Sequence, residues 1–383
     1  MIYLDNAATS FPKPTEVYTA AERALRELGG NPSRSGHIMS EKSGNEVYEC
    51  REALSRMFSA KPENIVFTLN ATHALNLAIK GTSVEGAHYI ISNMEHNAVL
   101  RPLTRLCEEK GCSYDIIDVL DKKSADLLCD IKKKIRANTR ALIMNHCSNL
   151  CSNRIYPRRI GELCEKEGII FILDASQSAG HIAIDIDKEK INILCAPAHK
   201  GMLGIMGGGF LISDGKYTLD TLLEGGSGFN STDIHMPALL PERLEAGTLP
   251  TPAIASLRAG CEFIEKTGIS QIRSHENMLF CDMVNKLSEI KQVKIYRPGS
   301  IGSCLLFNVK GLRSDMVGEY LAEREICVRS GFHCAPLAHK SLCTGEYGAV
   351  RVSYGFFNSV KDNEALYFAI KDLIRLSGAR ERR

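Results

Sequence analysis

A chain of 383 residues is too long for one ordinary core and predicts two domains, neither very small. An apolar fraction of 44% and a charged fraction of 24% are those of a globular protein. The 47 basic and 45 acidic residues nearly cancel, which leaves no electrostatic footprint for nucleic acid or an anionic membrane surface.

The chain opens Met1-Ile2-Tyr3-Leu4-Asp5, with neither the basic nor the apolar region of a secretory signal. No apolar run approaches the roughly 20 residues needed to cross a bilayer. The fourteen cysteines include no Cys-x-x-Cys pair, so reduced thiols, no metal site and a cytoplasmic location are expected. The basic end Arg380, Arg382 and Arg383 reads as solvated.

In chain order, Ile65 to Leu69 predicts a strand and Thr72 to Lys80 a helix. His88 to Ser92 predicts a strand and Asn97 to Lys110 a helix. Strand patterns recur at Tyr114 to Val119, Arg140 to Asn145 and Ile169 to Asp174, with helical segments between. Two short apolar runs follow, Ile191 to Ala196 and Gly209 to Ser213. Such runs separated by helices predict an α/β fold with a mostly parallel sheet covered on both faces.

The pattern changes near residue 250. Helices are expected from Thr251 to Lys266 and from Ile269 to Ile290. Strands follow near Val293, at Ser303 to Val309 and at Ala349 to Tyr354, with helices from Ser314 and Lys361. A large domain is therefore placed at residues 1–250 and a small one at 251–383, with residues 1–30 packing with the small domain. Ligands of open α/β sheets sit beyond the carboxyl ends of strands, so the chemistry is expected just after these runs.

Asp174 ends one such run, followed by Ala175-Ser176-Gln177. It reads either as a turn residue or as an acid with a cationic partner. Another run ends in Ala198-His199-Lys200-Gly201. Glycines follow Lys200, which is the reverse of a phosphate loop, so an imine-forming lysine with Asp174 on a pyridinium nitrogen suits the pair better. Asn70-Ala71-Thr72-His73 opens a helix after a strand, either as an ordinary cap or as an anion site made of backbone N–H groups and the Thr72 hydroxyl. His96, in Asn93-Met94-Glu95-His96-Asn97, is either structural or a proton carrier over a cofactor ring.

Taken with the run Tyr3 to Thr9, Ser148-Asn149, Glu245-Ala246-Gly247-Thr248, Arg329 to Ala335 and Arg351-Val352-Ser353, these positions form a collinear set. The set resembles the cysteine desulfurase family, of the class V aminotransferase group. The resemblance implies a fold-type-I pyridoxal-phosphate enzyme with a seven-stranded, mostly parallel sheet in the large domain and a smaller C-terminal α/β domain.

It further implies pyridoxal 5′-phosphate held on Lys200, with His96 stacked on the ring, Asp174 at the ring nitrogen, and Gln177 and Asn149 toward the phenolic oxygen. Ala71, Thr72 and His199 would hold the phosphate. Gly247 and Thr248 would reach the neighbouring subunit's phosphate in a homodimer. Arg351, with Arg329 and Asn149, would bind the substrate carboxylate end.

Cys334 is read either as one buried thiol among fourteen or as the family's catalytic cysteine. His333 and Arg329 would be the positive neighbours that favour a thiolate. The implied reaction converts L-cysteine to L-alanine with sulfur held as a persulfide on Cys334, for an acceptor protein not identified by the sequence. The alternative is a selenocysteine lyase, acting on L-selenocysteine, or another β-elimination lyase. Pro197, where many relatives have Ser or Thr, and the Gly204–Gly209 loop depart from the family pattern. Cys147 and Cys151 flank Asn149 and read as packing residues.

Overall fold

All seven apolar runs between residues 65 and 213 become strands of one seven-stranded sheet. The structure is a computed structural model that describes residues 1–32, 36–296 and 302–380. Arg382 and Arg383, and the side chain of Arg380, lie outside the described residues. Two compact units share the chain: residues 13–146 with 155–269, and residues 1–12 with 147–154 and 270 onward.

In the larger unit the strands lie in the order Ile65–Thr68, Gly209–Ser213, Ile193–Pro197, Ile170–Asp174, Thr139–Asn145, His88–Ser92 and Ser113–Ile117. Gly209–Ser213 runs antiparallel to both its neighbours, and the other pairs are parallel. Central strands are buried on both faces, which is why they read as continuous Ile, Leu and Phe runs. The outer strand Ser113–Ile117 is half-exposed, and Asp115 there meets Arg136, Lys134 and His88. Charges of this kind blunt an edge against unwanted pairing.

Two helices, Thr15–Glu27 and Ile38–Phe58, precede the first sheet strand and were not expected from the sequence. Both pack against Thr251–Thr267, which buries Ala253, Ile254 and Leu257. This partnership keeps Thr251–Thr267 in the larger unit. The change of unit therefore falls at residues 269–270 and not near 250, and residues 13–30 stay with the larger unit while 1–12 do not.

The smaller unit has a four-stranded antiparallel sheet, in the order Arg329–Gly331, Ala349–Ser353, Cys304–Val309, Val293–Ile295. Ile2–Tyr3 pairs in parallel with Ile326–Cys327. Its core gathers Leu4, Phe280, Met283, Phe307, Val352 and Leu366.

Candidate active site

Four adjacent parallel strands of the larger unit end in reactive groups. Ile193–Pro197 runs into His199-Lys200, and Ile170–Asp174 ends on its own carboxylate. Asn145 closes the next strand, in register with Asp174, and His88–Ser92 leads into Glu95-His96.

Asp174 is 4% exposed and accepts one hydrogen bond, from the Ser176 N–H at 2.9 Å. No lysine, arginine or histidine pairs with it among the described residues. A carboxylate so buried calls for a cationic partner.

The Lys200 turn is tied down by backbone bonds. Leu203 N–H donates to the Lys200 carbonyl (2.9 Å), Gly204 N–H to Ala198 (2.8 Å) and Ala198 N–H to Gly208 (3.0 Å). A Cβ on Gly201 would lie 2.3 Å from the Ala179 carbonyl, so only glycine fits after the lysine. Pro197 closes its strand opposite Gly209, which fixes the start and end of the atypical loop. Lys13 Nζ donates to the His199 carbonyl at 3.3 Å, and burial brings its ammonium down to about 8. Burial first, then the charges of Lys200 and Lys13, hold His199 at about 4, so its imidazole is neutral at pH 7.

Asn70 caps helix Ala71–Gly81, its Oδ1 accepting from His73 N–H at 2.9 Å. The N–H groups of Ala71 and Thr72 have no acceptor among the described residues. His96 caps Asn97–Lys110, its Nδ1 accepting from Ala98 N–H at 3.0 Å, so the neutral ring carries its proton on Nε2. Beside it, fully buried Glu95 accepts from the Ser92 hydroxyl and from Asn145 N–H (2.9 Å), and burial raises its carboxyl to about 8. Glu95 thereby binds the His96 loop to the strand next to Asp174.

Glu245 accepts from Arg51 and from Phe67 N–H, both at 2.6 Å, and anchors the segment leading to Gly247-Thr248. Thr248 Oγ1 accepts from Asn31 Nδ2 at 3.1 Å.

The smaller unit concentrates different groups. Arg329 and Arg351 stand directly opposite each other on paired strands, an arrangement that destabilises a bare sheet and suits an anion. Arg351 is 1% exposed and donates to the Asn149 carbonyl (3.1 Å) and to Asp5 Oδ1 (2.5 Å). Among the described residues its buried Nε has no partner, nor does Asn149 Oδ1, while Asn149 Nδ2 donates to the His333 carbonyl at 3.0 Å.

Cys334 is exposed, between strand Arg329–Gly331 and helix Pro336–Leu342. His333 and Cys334 both take left-handed backbone angles, with φ of 49° and 56°. Two consecutive non-glycine residues there store strain of the kind found at functional turns. Gly348 lets the turn approach, since a Cβ on it would meet the Gly331 carbonyl at 2.2 Å.

Arg329 Nη2 lies 3.7 Å from Cys334 Sγ. His333, expected to be positive, is not. Burial, then the charge of Arg351, holds it at about 2, so of the two expected neighbours Arg329 is the positive one. None of the fourteen cysteines forms a disulfide. Burial pushes the Cys147 and Cys164 thiols up to about 12 and those of Cys50, Cys195 and Cys261 up as well, which makes them poor nucleophiles.

Comparison with known proteins gives this arrangement a family. The aminotransferase class-V model matches residues 2–366. A probable cysteine desulfurase of Pyrococcus abyssi is 31% identical over 98% of this chain and 94% of its own length. Another, from Methanothermobacter thermautotrophicus, is 29% identical over 97% and 94%. The apo structure of the cysteine desulfurase from Thermococcus onnurineus NA1 superposes with a TM-score of 0.89 at 30% identity, over 98% of this chain and 94% of that one. The chain belongs to the cysteine desulfurase group of the class-V aminotransferases.

Membership implies pyridoxal 5′-phosphate, and the class-V residues fit it. Asp174 matches a protonated ring nitrogen. Ala71 and Thr72 N–H groups, with neutral His199, match a phosphate. Of the expected positions, Lys200, Asp174, His96, His199, Gln177, Ala71, Thr72, Gly247 and Thr248 fall in the larger unit, while Asn149, Cys334, Arg329 and Arg351 fall in the smaller. Lys13, Glu95, Asp5 and His339 were not expected. The Leu4-Asp5-Asn6 and Met94-Glu95-His96 runs carried a signal for two of them.

Proposed function

We propose that this protein uses pyridoxal 5′-phosphate on Lys200 to take sulfur from L-cysteine, leaving L-alanine and a persulfide on Cys334. The reading rests above all on one observation: an exposed, left-handed cysteine beside the only opposed arginine pair among the described strands, in a class-V chain. When bound, the cofactor supplies a cationic ring that accepts the electron pairs freed at the substrate's carbons.

Lys200 Nζ serves as the base that removes the Cα proton. Asp174 keeps the ring nitrogen protonated. Arg351 offers its remaining N–H groups to the substrate carboxylate, a geometry suited to a guanidinium fork. Arg329 stabilises the Cys334 thiolate, which attacks the substrate sulfur: an S–S bond forms and the Cβ–S bond breaks. The electron pair left on Cβ gains a proton, for which His96 Nε2 is the carrier, Lys200 Nζ returns a proton to Cα, and alanine departs. The outer sulfur stays on Cys334 until a thiol acceptor removes it.

The working form is a homodimer, with Gly247-Thr248 reaching the partner's phosphate site. Exposed Leu223, Phe229, Ile234 and Leu239 support it as apolar surface for a second copy. Fourteen cysteines without a disulfide favour a cytoplasmic location, and no helix among the described residues is long and apolar enough to cross a membrane.

The test is incubation with L-cysteine while alanine and protein-bound persulfide are measured together. Equal initial amounts are expected, with the extra sulfur on the peptide containing Cys334. Cys334→Ala should keep the visible band of the bound cofactor and form no persulfide. Alanine released without persulfide in the wild type would replace this reading with elimination chemistry, and L-selenocysteine turnover by Cys334→Ala would then identify the lyase.

A further inference from the structure

Behind the Cys334 turn lies a chain of hydrogen bonds that the proposed reaction does not use. His333 Nε2 is 3.1 Å from the Arg329 carbonyl, and His333 Nδ1 is 3.1 Å from His339 Nε2. His339 Nδ1 is 2.8 Å from Thr344 Oγ1. The two imidazoles lie end to end, with centroids 5.3 Å apart and planes 6° from parallel, and Phe332 meets His339 edge-on. His333 and His339 are 2% and 3% exposed.

The proton positions follow by elimination. A backbone carbonyl only accepts, so His333 must donate Nε2–H to Arg329. His333 is neutral, as its burial and the charges of Arg351 and Arg329 require, which leaves Nδ1 a bare acceptor. His339 must therefore donate Nε2–H to it. Burial keeps His339 neutral too, at about 4, so its Nδ1 accepts from the Thr344 hydroxyl. Thr344 donates to His339, His339 to His333, and His333 to the carbonyl of the residue whose guanidinium touches the Cys334 sulfur. Each link admits one arrangement.

We propose that His339 is a positioning residue for Cys334: by donating to His333 it selects the His333 tautomer that grips the Arg329 carbonyl, and so holds the left-handed turn that presents the thiol. Without that donor, His333 Nδ1 is a buried unsatisfied acceptor. The alternative tautomer would set two acceptors, Nε2 and the Arg329 carbonyl, against each other. Either outcome releases a turn whose backbone angles are strained. The proposal rests on the reading of Cys334 as the nucleophile, but its geometry can be tested without sulfur transfer.

The experiment uses holoenzyme. Iodoacetamide alkylation of the Cys334 peptide is followed by mass spectrometry in wild type, His339→Leu, His339→Gln and Thr344→Val, beside alanine formation from L-cysteine. His339→Leu should slow alkylation about tenfold and turnover by about tenfold to a hundredfold, the range expected when a reacting group shifts by about an ångström. Glutamine restores both a donor to His333 and an acceptor for Thr344, so His339→Gln should return to within about threefold of wild type. Thr344→Val should lie between. Nitrogen-15 spectra of histidine-labelled wild type should show both rings protonated on Nε2.

Wild-type alkylation in folded His339→Leu, or a His339→Gln no better than His339→Leu, overturns the inference. Spectra with His333 protonated on Nδ1 overturn it as well. If instead Cys334→Ala still forms persulfide while these variants behave as expected, the functional reading fails and the positioning chain stands.

Discussion

The two units place their chemistry by different means. In the larger unit, topology does the placing: adjacent parallel strands end at one edge, and Asp174, His96 and Lys200 follow from where the strands stop. In the smaller unit, three residues of short strand and a strained turn do it, with Arg329 opposite Arg351 and Cys334 held against its backbone preference. A cofactor with several fixed contacts suits a rigid sheet edge. A nucleophile that must reach a sulfur atom and later surrender its cargo suits an exposed turn whose conformation is held by removable bonds.

If the two sets of groups are built independently, each should survive the loss of the other. Lys200→Ala removes both the imine-forming amine and the base at Cα, and should cut alanine formation on the order of 10⁴-fold. The visible band of the lysine-bound cofactor should vanish with it. Alkylation of Cys334 in that variant should proceed at the wild-type rate. A slowed Cys334 would mean that the turn is shaped by the cofactor end and would break the comparison.

The opposed arginines should separate under conservative change. Arg351→Lys keeps the charge but loses the fork, so KM for L-cysteine should rise about 10- to 100-fold with a smaller fall in kcat. Arg329→Lys should instead slow Cys334 alkylation and leave KM nearly unchanged, because Arg329 touches the sulfur. Equal KM effects from both would show that they bind the carboxylate as a pair, and the division of labour would fall.

The same contrast decides what the sequence could disclose. The seven strands were legible because all but the half-exposed Ser113–Ile117 are buried, continuous apolar runs, and Asp174, His96 and Lys200 were legible because each follows or closes such a run. Thr251–Thr267 was assigned to the wrong unit because its partners, Thr15–Glu27 and Ile38–Phe58, lie more than 190 residues away and show no motif. Lys13 is 186 residues from His199, which it contacts. His333 carried the wrong charge because neutrality comes from burial, which a neighbour in sequence does not reveal. His339 was invisible because a spacing of six from His333 matches no helical face. Only the left-handed turn folds the two rings together.

The buried histidines also make the comparison measurable through acid stability. A histidine whose pKa falls on folding binds its proton more readily unfolded, so stability is intact above the unfolded value of about 6.5 and declines as pH falls below it. His333 and His339, held at about 2 and about 4 in the smaller unit, should each lose roughly 2 kcal/mol by pH 5. The larger unit contributes His199, also at about 4. Urea midpoints of holoenzyme at pH 7.5 and pH 5 read these losses together with other titrating groups, among them Glu95 with the opposite sign. Comparison with His339→Gln isolates one share, because glutamine keeps the hydrogen bonds and cannot take the proton. The variant should lose less stability than wild type over that interval, by roughly 2 kcal/mol. Equal losses would mean that folding does not lower the His339 pKa, so that its ring takes a proton in the folded protein over the same interval. A protonated His339 could not accept from Thr344, and the turn would not depend on a chain of neutral rings.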